Sequence, residues 1–114
     1  MRLSDREREI IVESIRKWFP DARRILLFGS RADDRKRGGD IDLLVETESP
    51  ESERYVNAVR AITSMQLQLG ERKIDLLVAY PEGSEQDRKD TRSIVRVARQ
   101  TGICLIGFKE GGNT

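Results

Sequence analysis

The chain of 114 residues has no histidine, one cysteine, no long apolar run and almost no net charge, +1 from 21 basic and 20 acidic side chains. Each absence removes a class of function. Without histidine there is no Ser-His-Asp or Cys-His nucleophile system, and most zinc sites lose their usual nitrogen ligand. A single cysteine excludes an internal disulfide and fits a reducing cytosol. No apolar stretch is long enough to span a bilayer, so no membrane helix is expected. Balanced charge gives no overall attraction to nucleic acid or to a membrane surface, and direct nucleic-acid binding is not expected. The opening residues Met1-Arg2-Leu3-Ser4-Asp5-Arg6-Glu7 are charged and do not read as a signal peptide. These features predict a cytoplasmic protein whose chemistry rests on carboxylates, hydroxyls, lysine or arginine, and metal ions.

What is present is a high charged fraction, 36%, with apolar residues gathered in short blocks. This length suits one two-layer core, so residues 1–110 are expected to form a single domain and 111–114 a frayed tail. Ser4-Asp5-Arg6-Glu7 is a capping box, followed by Ile10, Ile11, Ile15 and Trp18 at helical spacing, which predicts a helix over 5–18 ended by Pro20. Arg24 to Phe28 reads as a strand running into Gly29-Ser30, and 31–39 as a flexible loop or single helical turn closed by Gly38-Gly39. A second strand is expected over Ile41–Glu46. Ser49-Pro50 then opens a second helix that turns Val56, Val59, Ile62 and Leu69 inward and stops at Gly70. A third strand over Lys73–Ala79, a turn at Tyr80-Pro81-Glu82-Gly83, a third helix from Ser84 to Arg99 and a fourth strand over Ile103–Phe108 complete the order α-β-β-α-β-α-β. The first two strands are joined too closely for a crossover and are expected antiparallel, whereas the second and third, joined through a helix, are expected parallel. The fold class is therefore α/β in the α+β sense, with a small mixed sheet of about four strands backed by helices.

The chemistry is carried by carboxylates. Ile41-Asp42-Leu43-Leu44-Val45 and Ile74-Asp75-Leu76-Leu77-Val78 are the same pentapeptide, each a buried strand with an acid near its start. The flanks do not match, so this is no solenoid repeat. Asp40 and Asp42 are two residues apart and project to one side of an extended chain. If the matching strands are neighbours in similar register, Asp75 joins them. An acid between isoleucine and leucine is costly unless paired, and three acids together repel one another, so the set calls for a cation. Oxygen-only ligands favour Mg²⁺, with Mn²⁺ as the alternative, and three acids suit two ions. Taken singly, Asp40 also fits a turn residue after Gly38-Gly39.

Gly29-Ser30 follows a strand directly, where glycine lets the backbone approach a phosphate and the next amides form an anion-binding nest. Ser30 also fits a simple N-cap, and a helix N-terminus is itself an anion site. No Gly-Lys-Ser/Thr follows, so this is not a Walker A loop. Arg31 either neutralises phosphate charge or stands solvated in the loop, and Arg35, Lys36 and Arg37 read mainly as solvated. Arg88, Arg92, Arg96 and Arg99 fall along one stripe of the third predicted helix, either a wet face or a docking face. Cys104 reads as a core thiol and Trp18 as a core or interface residue.

Gly29-Ser30-Arg31-Ala32, the spacing to Asp40-Ile41-Asp42 and the later strand with Asp75 resemble the DNA polymerase beta-type nucleotidyltransferase superfamily, and within it the stand-alone minimal nucleotidyltransferases. The resemblance covers roughly residues 10 to 106. It implies the polymerase beta-like nucleotidyltransferase fold. It implies that Gly29, Ser30 and Arg31 bind the nucleotide, and that Asp40, Asp42 and Asp75 are the catalytic, metal-binding acids. It further implies transfer of AMP from ATP to a hydroxyl, as in members that act as antitoxins by modifying a tyrosine of a HEPN-type toxin. A chain this short has no room for the extra domains of larger members, so a HEPN-type partner or a homo-oligomer is expected to complete the site. The competing readings are a non-catalytic antitoxin that neutralises a partner by contact, and a nucleotide sensor.

Overall fold

The computed structural model describes residues 3–29 and 40–107. Among these the elements are α1 (Asp5–Trp18), β1 (Arg24–Phe28), β2 (Ile41–Glu46), α2 (Glu51–Leu69), β3 (Ile74–Ala79), α3 (Glu85–Arg88), α4 (Ser93–Thr101) and β4 (Ile103–Ile106). The expected loop over 31–39, the tail 111–114 and the strand end at Phe108 lie outside the described residues. The capping box of α1 is closed in both directions: the Glu7 amide donates to the Ser4 hydroxyl at 3.1 Å and the Ser4 amide to the Glu7 carboxylate at 2.9 Å. Ile10, Ile11 and Ile15 are buried from this helix. No helix among the described residues is long and apolar enough to cross a membrane.

The strands form one mixed sheet of order β3-β2-β1-β4. β1 is antiparallel to β2 and β4, and β2 is parallel to β3. Alternation then sorts side chains between two faces. Ile25, Leu27, Ile41, Leu43, Val45, Ile74 and Val78 join Ile11, Ile15 and Phe19 of the α1 side and Ala61 and Met65 of α2 in one core. Leu26, Phe28, Leu44 and Ala79 meet Val95 and Ala98 of α4 in a smaller second core.

Four expectations are corrected. The third helix is two, α3 and α4, because the Asp90 carboxylate takes the Arg92 amide at 3.1 Å and holds Arg92 extended, with φ −72° and ψ 119°. The four arginines therefore share no stripe: Arg88 belongs to α3, Arg92 is the N-cap of α4, and Arg99 is turned into the protein. Val56 and Val59 point outward, 47% and 44% exposed, while Ala61 and Met65 take the core positions of α2. The N-cap of α2 is Pro50 with no side-chain cap, since the Ser49 hydroxyl is engaged with Thr47 and Asp21 instead. Partial burial works against the Asp21 charge, but the Thr47 and Ser49 hydroxyls and the Glu48 amide outweigh it and hold its pKa below the usual value.

Arg24 and Glu46 face each other across β1 and β2 and are 5% and 3% exposed. Glu46 Oε2 accepts from Arg24 and from Arg99, both at 2.7 Å, while Arg24 also reaches Glu82 at 2.8 Å. Arg99 continues to Asp87 at 2.8 Å and to the Tyr80 carbonyl at 2.9 Å. Burial alone would weaken the Arg24 charge, but Glu46 and Glu82 more than offset it and its pKa is raised. This network clamps α3, α4 and the β3–α3 turn to one end of the sheet. Glu46→Ala removes the shared anion from two buried guanidinium groups and is expected to cost about 3–5 kcal/mol in urea unfolding. A loss near zero would mean that Glu82 and Asp87 suffice.

The Asp90 carboxylate is bonded first by the Arg92 guanidinium, at 2.8 and 3.0 Å, against a smaller opposing effect of burial, and its pKa falls from 3.8 to about 2. A carboxylate lowered by folding stabilises the fold above its unfolded value and loses that contribution as pH falls through the folded one. The Asp90 contribution is thus complete above 3.8 and lost toward about 2. Carboxyl-detected NMR titration should give that midpoint, and Asp90→Asn should flatten this part of the acid dependence of stability.

Candidate functional site

The two copies of the pentapeptide lie side by side in step: Ile41 opposite Ile74, Asp42 opposite Asp75, and so on to Val45 opposite Val78. Residues opposite each other in neighbouring strands share a face and stand about 4.8 Å apart along the hydrogen-bonding direction. The face is that of Leu44 and Ala79, the one on which α4 packs. α4 covers its far part, over Leu26 and Leu44. The acids occupy the other end, at the start of β2 and β3 and beside the end of β1, where Phe28 faces Asp42. Asp42 is half-buried and Asp75 exposed.

Gly29 follows β1 with φ +75°, a left-handed conformation that glycine adopts without strain. A Cβ at this position would overlap the Asp42 carboxylate oxygen and lie 3.0 Å from its Cγ. The turn after β1 therefore needs glycine twice over, for its backbone and for the space that the Asp42 carboxylate takes. Gly29 and Asp42, thirteen positions apart in the chain, are in contact.

Asp40 stands just before β2 and is exposed; the backbone beside it is anchored by the Ile41 amide donating to the Lys73 carbonyl at 2.9 Å. Ser30 and Arg31, with Arg35, Lys36 and Arg37, lie outside the described residues. Among the described residues no three His, Cys, Asp or Glu side chains gather closely enough to hold one ion. The ladder fixes Asp42 against Asp75, whereas Asp40 is outside it, and like charges favour separation. The donors fit hard divalent cations in kind, being carboxylate oxygens beside a Cβ-free turn. Cys104 is half-buried on the α4 face, and its thiol bonds the Ile106 and Gly107 carbonyls at 3.0 Å.

A model of the nucleotidyltransferase domain matches residues 8–100. The chain belongs to this nucleotidyltransferase family. Among solved structures, the nucleotidyltransferase described here resembles a toxin–antitoxin complex with AMP-PNP at 18% identity and a TM-score of 0.61, covering 91% of this chain and 76% of that one. It is similar to the toxin–antitoxin MntA-HepT at 16% identity and a TM-score of 0.59, covering 95% and 76%. It also resembles a complex of tri-AMPylated Shewanella oneidensis HEPN toxin with MNT antitoxin at 17% identity and a TM-score of 0.60, covering 96% and 76%. At such identities the likeness is one of fold. No curated protein matches the chain.

Nothing in the local sequence pattern singles out Arg54, whose guanidinium lies 4.0 Å from the centre of the Tyr80 ring. The contact joins α2 to the turn after β3 and arises only from the packing of those elements. Gly29→Ala in this nucleotidyltransferase should cost at least about 1–2 kcal/mol from the backbone alone. It should also displace the Asp42 side chain, read as a shift of its carboxyl NMR signal. An unmoved Asp42 signal would mean that the turn yields instead.

Proposed function

We propose that residues 1–110 act as one catalytic domain that transfers AMP from ATP to a tyrosine hydroxyl of a HEPN-type toxin partner in the cytoplasm, and so serve as its antitoxin. The observation that carries this reading is the placement of Asp42 opposite Asp75 with Gly29 against the Asp42 carboxylate. The family match supports nucleotidyl transfer, and the resemblance to a complex containing an AMPylated HEPN toxin supports the acceptor class.

In this reading Gly29, Ser30 and Arg31 hold the terminal phosphates through backbone amides, a hydroxyl and a positive charge. Asp40, Asp42 and Asp75 present the oxygen donors for two Mg²⁺ ions, or Mn²⁺, which when bound supply charge neutralisation at the attacking and leaving oxygens. Asp75, exposed near the start of β3, accepts the proton of the acceptor hydroxyl. The hydroxyl oxygen forms a bond to the α-phosphorus, the bond to pyrophosphate breaks, and pyrophosphate leaves with its electron pair. The acceptor must be held in line by the partner, since orientation provides much of the rate.

Transfer from α-phosphate-labelled ATP in Mg²⁺ buffer, with cell extract as acceptor source, tests this. Wild type should label a protein band, and Asp42→Asn and Asp75→Asn should each lose at least about 100-fold of the signal. A labelled nucleic acid would replace the acceptor while keeping the chemistry. Full labelling by Asp42→Asn would refute the mechanism. Mg-dependent ATP binding with no labelled product would favour the sensor or the contact antitoxin.

A further inference from the structure

We propose that Lys73 is a further catalytic residue of the transfer, its ammonium donating to a non-bridging oxygen of the ATP α-phosphate from the β3 side of the site. The proposal rests on the nucleotidyl-transfer reading and adds a residue to it. β2 and β3 are paired in step from Ile41 opposite Ile74 onward. One residue before that pair stand Asp40 and Lys73. The Ile41 amide donates to the Lys73 carbonyl at 2.9 Å, so the ladder already holds the main chain of Lys73. Asp75 is two places further on, and alternation puts Lys73 on the face that Asp75 shares with Asp42. The end of the sheet thus carries Asp40 and Asp42 along β2, and Lys73 and Asp75 along β3. Among residues 28–29, 40–42 and 73–75, which make up this end, Lys73 is the one basic residue.

The backbone that carries Lys73 is fixed on both sides. The Arg72 carbonyl accepts from the Gln66 side-chain amide at 2.8 Å, and the Arg72 guanidinium is paired with Glu7 of α1 at 2.7 Å. Arg72 thus serves the α1 side of the sheet and Lys73 the side of the acids. Glu71 does not prolong the row, because the Arg72 amide donates to the Gly70 carbonyl at 2.8 Å and the chain turns there. The acids in line with Lys73 are therefore Asp40 and Asp75, those of the site itself. Lys73 is exposed, and its ammonium is within reach of a ligand at the sheet end.

Strand order decides which phosphate Lys73 meets. β1, β2 and β3 are consecutive in the sheet and about 4.8 Å apart. The terminal phosphates belong to the turn at Gly29, after β1; Asp42 comes next, and Asp75 with Lys73 lies beyond it. A triphosphate anchored at β1 and attacked beside Asp75 lays its α-phosphate toward β3. Carboxylates alone repel that group. A lysine in their row supplies a charged hydrogen-bond donor at the oxygens that carry negative charge during transfer. Lys73 keeps its proton throughout: the hydroxyl proton goes to Asp75, the new bond forms to the α-phosphorus, and pyrophosphate leaves with its electron pair.

The test follows labelling in cell extract by the full chain, first with α-phosphate-labelled ATP. It is repeated with the two labelled diastereomers of ATP that carry sulfur in place of one non-bridging α-phosphate oxygen. Lys73→Met should lower the rate at saturating ATP by about 100-fold, the usual effect of removing one such donor. Mg-ATP binding in equilibrium dialysis should fall far less, and Lys73→Arg, which keeps the charge, should recover part of the rate. Sulfur accepts a hydrogen bond poorly, so wild type should be slowed by the diastereomer that turns sulfur toward Lys73. In Lys73→Met that penalty should shrink by about tenfold, as for two changes to one contact, while the penalty of the other diastereomer stands. Lys73→Gln carries the same comparison if Lys73→Met folds poorly. Sulfur penalties that do not depend on Lys73 would overturn the proposal whatever the rate, because a lysine that only spaces the acids never touches the oxygen. Undiminished labelling by Lys73→Met, or a loss confined to Mg-ATP binding, would also overturn it. In each of these outcomes wild type still labels its acceptor and the transfer reading stands. No label from wild type would remove that reading and this proposal together.

Discussion

The parallel pairing of β2 with β3 is the constraint on which the rest depends. Two identical pentapeptides bury identical apolar sequences on both faces, and only the in-step register places isoleucine beside isoleucine and valine beside valine. A slip of one residue would move Asp42 or Asp75 into the core formed with α1 and α2, where an unpaired carboxylate is costly. The acids therefore help to select the register that sets them opposite each other. The crossover through α2 supplies the length that a parallel connection needs, and Ala61 and Met65 seal it onto the sheet.

The face that carries the acids is organised by charge at both ends. At one end Arg24, Glu46, Arg99 and Asp87 satisfy one another under α3 and α4. Four residues along β1, about 13 Å at the usual rise per residue, the same face ends at Gly29, Asp42 and Asp75. One set of charges is buried and paired, and it holds the helices away from the other set. At that end Asp42 is half-buried and Asp75 exposed.

Much of the fold was legible because its signals are local. Ser4 and Glu7 mark the start of α1, Gly70 marks the end of α2, the short apolar runs give β1, β2 and β3, and the lengths of the connections between them give their directions. The break between α3 and α4 is not legible in the sequence, because the apolar spacing of Ile94, Val95, Val97 and Ala98 says nothing about Asp90 folding back on the Arg92 amide. The hydrophobicity of Val56 and Val59 points them inward, yet α2 is turned so that Ala61 and Met65 meet the sheet. Arg99 reads as a surface charge in the sequence, and it is half-buried because the Glu46 carboxylate, at the end of β2, accepts its Nε–H.

The sequence alone determined the chemistry available to this protein. The lack of histidine and the single cysteine leave carboxylates, hydroxyls, lysine and arginine as the side chains this sequence offers, and the spacing of Gly29-Ser30, Asp40, Asp42 and Asp75 marks the candidate site, because those properties belong to residue types and short spacings. Only the tertiary structure decided which groups meet. The placement of Asp42 opposite Asp75, the contact of Gly29 with the Asp42 carboxylate and the ion pair of Arg99 with Glu46 are all long-range facts. They follow from strand order and register, which are set by the free energy of burying both sheet faces at once rather than by any local run of residues.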